Sequence, residues 1–242
     1  MDTKVIRKNG TEYLLSTRDI KTLDFSVDPP TARHNLEAVG GGGGLIDLGT
    51  DYEGRNITLS LKLEATDAID FALLRNDVFR IFDSRESFYI VDMREPGKRW
   101  EVKAESYTIE QLTDIRGRVD IPLVCFSGYA ESIGTTLDAK TFDLALWQNG
   151  QGQTLDETNY THATTSFSIY NAADGVSIDP RRRPLEILFK GASTNLKITN
   201  MTTGDIWSYT GSTLASGSLK LDGVRSFRGT SENVFKNTNR KL

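Results

Sequence analysis

The sequence predicts a mainly β protein with one principal α-helix, divided into two domains near residue 135. Three patterns carry that prediction. Ile57, Leu59, Leu61 and Leu63 alternate with Thr58, Ser60, Lys62 and Glu64, as in a strand with one buried face. Phe71, Leu74, Val78 and Phe82 then recur at spacings of three and four, the period of a helix with one apolar stripe. After residue 158, short apolar-alternating runs are separated by turn dipeptides, the pattern of a β-sandwich.

The bulk numbers agree with two ordinary domains. The chain has 242 residues, enough to bury two cores, and its 26% charged and 38% hydrophobic content is too apolar for disorder. No apolar run approaches the length of a membrane span, so no membrane insertion is expected. The opening MDTKVIRKNG has no apolar core segment, so no secretory signal is expected. A single cysteine, Cys125, excludes an intramolecular disulfide and a cysteine-based zinc site. Residues 1–134 hold 17 Lys/Arg against 23 Asp/Glu, a net of −6, and residues 135–242 hold 12 against 10, a net of +2. Neither half has the basic bias of a nucleic-acid binder.

Short strands are expected at residues 4–7 and 12–16, around the turn signal Asn9-Gly10, and at Thr22–Val27. Pro29-Pro30 stops the third. Residues 31–51 show no clean period and contain Gly40, Gly41, Gly42, Gly43 and Gly44, which cost much backbone entropy to order. They are expected to be an exposed loop or the tip of an arm. A phosphate loop is disfavoured, because Leu45-Ile46 follows the glycines where Lys-Ser/Thr would be needed. The helix is expected over about 67–82. Thr66-Asp67 supplies its N-cap, Asp70 lies in its first turn, and Ile69, Leu73 and Phe79 widen its apolar surface. Phe88–Val91 is a strand, and Glu95-Pro96-Gly97-Lys98 a turn. Trp100–Ala104 and Val119–Cys125 alternate and are expected to pair as a hairpin, with Pro122 marking an edge or bulge.

In the second half, strands are expected at Ser166–Tyr170, Pro184–Phe189, Asn195–Thr199, Asp205–Tyr209, Ser218–Asp222 and Val224–Arg228. The turns between them are Asp174-Gly175, Thr203-Gly204 and Asp222-Gly223. Nothing converges on catalysis. His34 and His162 lie far apart, Asp47, Asp51 and Glu53 lack calcium-loop spacing, and no pair of carboxylates is singled out. No catalytic, metal or cofactor site is expected, and the protein is expected not to be an enzyme. Arg181-Arg182-Arg183, between Pro180 and Pro184, reads as a solvated loop. Trp207 and Tyr209 are the candidates for stacking on a sugar, against the commoner alternative that such aromatics fill a core.

The order of these features resembles the distal tail protein (Dit) family of siphophages, the tail-tip or baseplate hub of long-tailed, non-contractile phages. The matching pieces are the N-terminal strand group, the run AVGGGGGLIDLGTDYEGRNITLSLKL, the helix from Asp67 to Phe82, the strand FYIV and the strand end CFSGYAES. Ser127-Gly128 stands where the family commonly has an acid and a proline. These pieces cover residues 1 to about 133. The segment LKITNMTTGDIWSY resembles the family's C-terminal galectin-like or carbohydrate-module-like sandwich. The chain ends at NTNRKL without the Pro-Gly-Asn turn common in the family's final strand.

The resemblance implies a tail-tube-type, β-sandwich-like domain at 1–134 that forms a homohexameric ring, and a β-sandwich at 135–242. It implies a place in the virion at the distal end of the tail. The partners would be the tail tube protein, a tail-associated lysin or tip protein and, in some members, a receptor-binding protein, with genomic DNA passing through the ring in transit. Residues 31–51, tipped by Gly40–Gly44, would be an arm reaching a neighbouring subunit. The alternative is a carbohydrate-binding protein that recognises host glycan through its second domain.

Overall fold

The computed structural model describes residues 1–41, 43–139, 141, 144, 146–148, 150, 152, 159–173, 176–181 and 183–239. The chain forms two compact units, Met1–Ala172 and Ala173–Leu242.

Unit 1 is built on antiparallel strands and one helix. In chain order these are β1 (Thr3–Ile6), β2 (Glu12–Leu14), β3 (Ile20–Val27), β4 (Ala32–Ala38), β5 (Leu45–Tyr52), β6 (Arg55–Glu64), α1 (Ala68–Ile81), β7 (Phe88–Asp92), β8 (Lys98–Ala104), β9 (Glu110–Thr113), β10 (Arg116–Cys125) and β11 (Glu131–Ser132). A nine-stranded sheet runs β2-β1-β7-β8-β10-β6-β3, with β11 paired to β8 and β9 to β10. The sheet is rolled, because strands far apart along this path touch. Thr22 of β3 donates its hydroxyl to Thr3 of β1 at 3.1 Å in the interior, and Arg94 Nη2 reaches the Phe25 carbonyl at 3.3 Å.

The inside of the roll is the core. Ile57, Leu59, Leu61 and Leu63 of β6 face Val119, Ile121, Leu123 and Cys125 of β10 and the inward residues of β3, β7 and β8. Helix α1 adds Phe71, Leu74, Val78 and Ile81 from one stripe, with Phe82 beyond it. Asp67 caps the helix as expected, its side chain accepting from Ile69 N–H and Asp70 N–H at 2.8 Å. The first turn of α1 is seated against Gly117, where any Cβ would lie 2.8 Å from the Phe71 ring.

The expected hairpin of Trp100–Ala104 with Val119–Cys125 is only a short ladder, Leu123↔Ala104 and Val124↔Lys103. The hairpin partner of β10 is β9, and its long partner is β6. Pro122 falls between the β9 and β8 ladders on that flank, so its missing N–H interrupts nothing. Its carbonyl accepts from Glu105 N–H at 2.9 Å.

The division at Ala172/Ala173 lies beyond the break expected near residue 135, because the next segment folds back onto unit 1. Ile133 N–H donates to the Gly97 carbonyl, Gly134 N–H donates to the Leu146 carbonyl, and Trp147 is buried with its indole N–H on the Ala139 carbonyl. Gly97 permits this approach, since a Cβ there would lie 2.2 Å from the Trp147 backbone.

Unit 2 contains β12 (Glu186–Lys190), β13 (Ser193–Thr194), β14 (Lys197–Thr199), β15 (Ile206–Ser208), β16 (Ser212–Thr213), β17 (Ser218–Asp222), β18 (Arg225–Arg228) and β19 (Glu232–Asn233). They form a four-stranded sheet, β12-β17-β18-β19, and two ladders, β13-β16 and β14-β15. Residues 166–170, expected as a strand, are irregular; Phe167, Ile169 and Tyr170 are exposed with no strand beside them among the described residues. The expected turn Asp174-Gly175 lies outside the described residues.

On the outer surface of the β1–β7–β8 region, Lys8 Nζ bonds Glu101 at 2.7 Å and the Tyr89 hydroxyl at 2.9 Å. Burial raises the Glu101 pKa, but the hydrogen bonds from Lys8 and Ser87 more than offset it, and the carboxyl is held below its ordinary value. A depressed carboxylate contributes stability that is present above its ordinary value, near pH 4.5, and lost as pH falls through the folded value. Lys8→Met is therefore expected to lose less stability than the wild type between pH 6 and pH 3, measured by urea unfolding (both pH values about, chosen to bracket the carboxylate range). Gly117→Ala is expected to destabilise unit 1 by about 1–3 kcal/mol through overpacking against Phe71, by the same measurement.

Candidate interaction surface

The strongest surface feature of unit 1 is an arm. Strands β4 and β5 pair with each other and with no other strand, from Ala32↔Tyr52 at the base to Ala38↔Leu45 near the tip. Every residue of both strands is exposed. An isolated two-stranded hairpin is marginally stable in water. The glycines Gly40, Gly41, Gly43 and Gly44 lie in the connection at the tip, with Gly41 and Gly44 at φ 79° and 116°; Gly42 lies outside the described residues. Within the stretch 31–51 expected as a loop or arm tip, Ala32–Ala38 thus pairs with Leu45–Tyr52.

Register assigns its two faces, since directly opposed residues share a face. One face carries Ala32/Tyr52, His34/Thr50, Leu36/Asp47 and Ala38/Leu45, and is mostly apolar. The other carries Arg33/Asp51 and Glu37/Ile46, with Asn35 and Leu48. A bulge between His34 and Leu36 sets Leu48 and Gly49 against Asn35, with Gly49 at φ 116°. Asp47 Oδ1 accepts from Gly49 N–H at 2.9 Å, Asp51 accepts from Asn35 at 3.1 Å, and His34 Nδ1 lies 2.8 Å from the Thr50 hydroxyl. From residue 31 to 53 there is one arginine against Glu37, Asp47, Asp51 and Glu53, a net of −3 with histidine neutral.

Two further features lie at the surface. The second edges of β3 and β9 carry no ladder among the described residues. Helix α1 also exposes Ile69 (78%), Leu73 (61%) and Phe79 (45%), away from its core stripe. Phe79 packs beside Tyr107, ring centroids 6.0 Å apart. The Tyr107 phenol is pushed up to about 12, by burial first and by the Asp83 charge second.

The other candidates have structural roles. Trp207 and Tyr209 are 5% and 3% exposed and form the core of unit 2 with Leu219, Leu221 and Val234. No ring face is left for a sugar, which corrects the stacking expectation. Cys125 is buried, its Sγ 3.2 Å from the Ser127 hydroxyl. Arg181 is held by Asp179 at 2.8 Å; Arg182 lies outside the described residues. Among the described residues no three His, Cys, Asp or Glu side chains form a metal-holding group.

Residues 8–125 match the family described as the phage tail protein RIFT-related domain. Three solved structures resemble the chain, and one of them shares its fold at a TM-score above 0.5. The SPP1 Dit protein, described as a paradigm of the hub adsorption apparatus in phages infecting Gram-positive bacteria, is 8% identical, with a TM-score of 0.59 over 97% of this chain and 86% of that one. Chains of the phage p2 baseplate in its activated conformation, with strontium and with calcium, are 10% identical, with TM-scores of 0.48 and 0.49 over 98% of this chain and 88% of theirs. No curated protein sequence matches the chain. Residues 8–125, just under half of the chain, thus resemble the phage tail RIFT-related family, and the chain has the fold of the SPP1 Dit protein.

Trp207→Ala is expected to destabilise unit 2 by about 3–5 kcal/mol, as for a buried aromatic truncated in a core. Denaturant unfolding followed by near-ultraviolet circular dichroism reads this loss.

Proposed function

We propose that unit 1 assembles as a homohexameric ring at the distal end of the phage tail, joining the tail tube to the tip or baseplate. The tail-associated lysin or tip protein and a receptor-binding protein attach beyond it, and genomic DNA passes through its channel. The arm carries this reading. It presents an apolar face with nothing beneath it, which is costly in a free monomer and useful in an assembly. The unpaired edge of β9 offers a strand position to a neighbour, as a free edge does. The net of −6 over residues 1–134 suits a passage through which DNA slides without sticking. Unit 2, which begins at Ala173, is proposed as the module that meets the adhesion components.

Native mass spectrometry of the purified protein, alone and with its tail tube partner, is expected to show hexamers. Replacing Gly40–Gly44 by a short rigid turn should shift the population toward monomers. Intact hexamers in that variant would remove the arm from the interface, and a wild type that stays monomeric even with its partner would overturn the ring.

A further inference from the structure

We infer that the apolar face of the arm of one copy docks on the outer face of helix α1 of the next copy, a heterologous contact that repeats around the ring. This rests on the ring reading above and names the two surfaces that meet.

The receptor surface follows from helix geometry. Ile69, Leu73, Asn76 and Arg80 follow one another at spacings of four, three and four, so they form one stripe. That stripe lies opposite Phe71, Leu74 and Val78, which face the core. Ile69 and Leu73 are more than half exposed, which gives the helix a second apolar strip that its own sheet cannot cover.

Charge matches the two surfaces. The arm's docking face carries one formal charge, that of Asp47 beside Leu36. Around the helix stripe stand Arg18, Arg75 and Arg80. The carboxylate of Asp77 is shared by Arg18 at 3.5 Å and Arg80 at 2.9 Å, and that of Asp70 is turned to Thr66 N–H at 2.8 Å. Arg75 makes no ion pair with a described residue.

Reach makes the contact one between copies. The arm leaves unit 1 at the Arg55 end of β6, and α1 begins beyond its Glu64 end. Phe71 sits against Gly117, which pairs with Leu63, so Leu73 lies near that far end. Eight residues of strand separate Arg55 from Leu63, about 26 Å at the usual rise. Leu36 is four residues from the arm's base, about 13 Å, and Leu45 about 20 Å by the same rise. Neither reaches Leu73 of its own chain. An arm on one side and a receptor on the other generate a closed ring when the rotation closes.

The experiment uses two full-length variants, Leu36→Asp with Leu45→Asp in the arm, and Ile69→Asp with Leu73→Asp in the helix. All four side chains are exposed in the monomer, so both variants keep the fold. Each alone is expected to be monomeric, with association about a thousandfold weaker than wild type, from two lost apolar contacts. Mixed in equal amounts they should form dimers, because one intact arm meets one intact helix, and the chain of contacts ends there. Native mass spectrometry reads the species. If the helix variant alone still forms rings, the arm docks elsewhere and this inference is overturned while the ring stands. If both variants are monomeric and the mixture gives no dimer, the pairing of arm with helix is overturned. If wild type forms no oligomer with or without its tube partner, the ring and this contact fall together.

Discussion

The ladder between β6 and β10 is the constraint on which the rest of unit 1 depends. Ten residues of β6 pair with ten of β10, from Arg55↔Cys125 to Glu64↔Arg116, and β3 pairs along the other side. The inward residues of both strands are fully or almost fully buried. A slip of one residue would turn every apolar side chain of β6 outward, so burial holds the register firmly. The arm hangs from one end of this ladder and the helix from the other. The distance between them is therefore set by the strand rather than by a flexible link.

That separation has a consequence for assembly. A monomer built this way carries two apolar surfaces that cannot satisfy each other within one chain. Among the described residues no sheet lies beneath the hairpin and no element lies above the outer stripe of α1. Isolated apolar residues on a surface are ordinary, but two organised strips at opposite ends of a rigid ladder give directionality. The polar surroundings keep this compatible with a free monomer. Asp47, Asp51 and Asn35 make hydrogen bonds within the arm, and Asp77 holds Arg18 and Arg80 beside the helix. Each exposed pair contributes little stability.

Much of the frame was legible in residue order. The cap at Asp67, the stripe Phe71, Leu74 and Val78, and the alternation of β6 appear where the periods place them. Local physics decides all three. The strand pairing within the arm was hidden for an equally local reason. The bulge at Leu48-Gly49 inserts one residue into β5, so the period of two breaks in the middle of the strand. Gly49 between the runs Leu45–Leu48 and Thr50–Tyr52, facing a second run across the glycine tip, was the signal available. The distal half of the β8–β10 expectation failed differently. Glu110–Thr113 is short and fully exposed, and only its pairing with β10 makes it a strand.

By itself the sequence determined the β-rich class, the single capped helix, the core-facing periods and the absence of a recognisable catalytic motif. These depend on spacing and on the chemistry of neighbours along the chain. Tertiary structure decided what contacts across long separations decide. It buried Trp207 and Tyr209 in a core where the residues alone allowed a stacking surface, and it folded Ile133–Gly134 and Trp147 back against Gly97. It also rolled the sheet so that Thr3 meets Thr22. Burial is a property of what lies above a side chain in space. The period of a strand says which face a residue takes, but only the assembled fold says whether that face is covered.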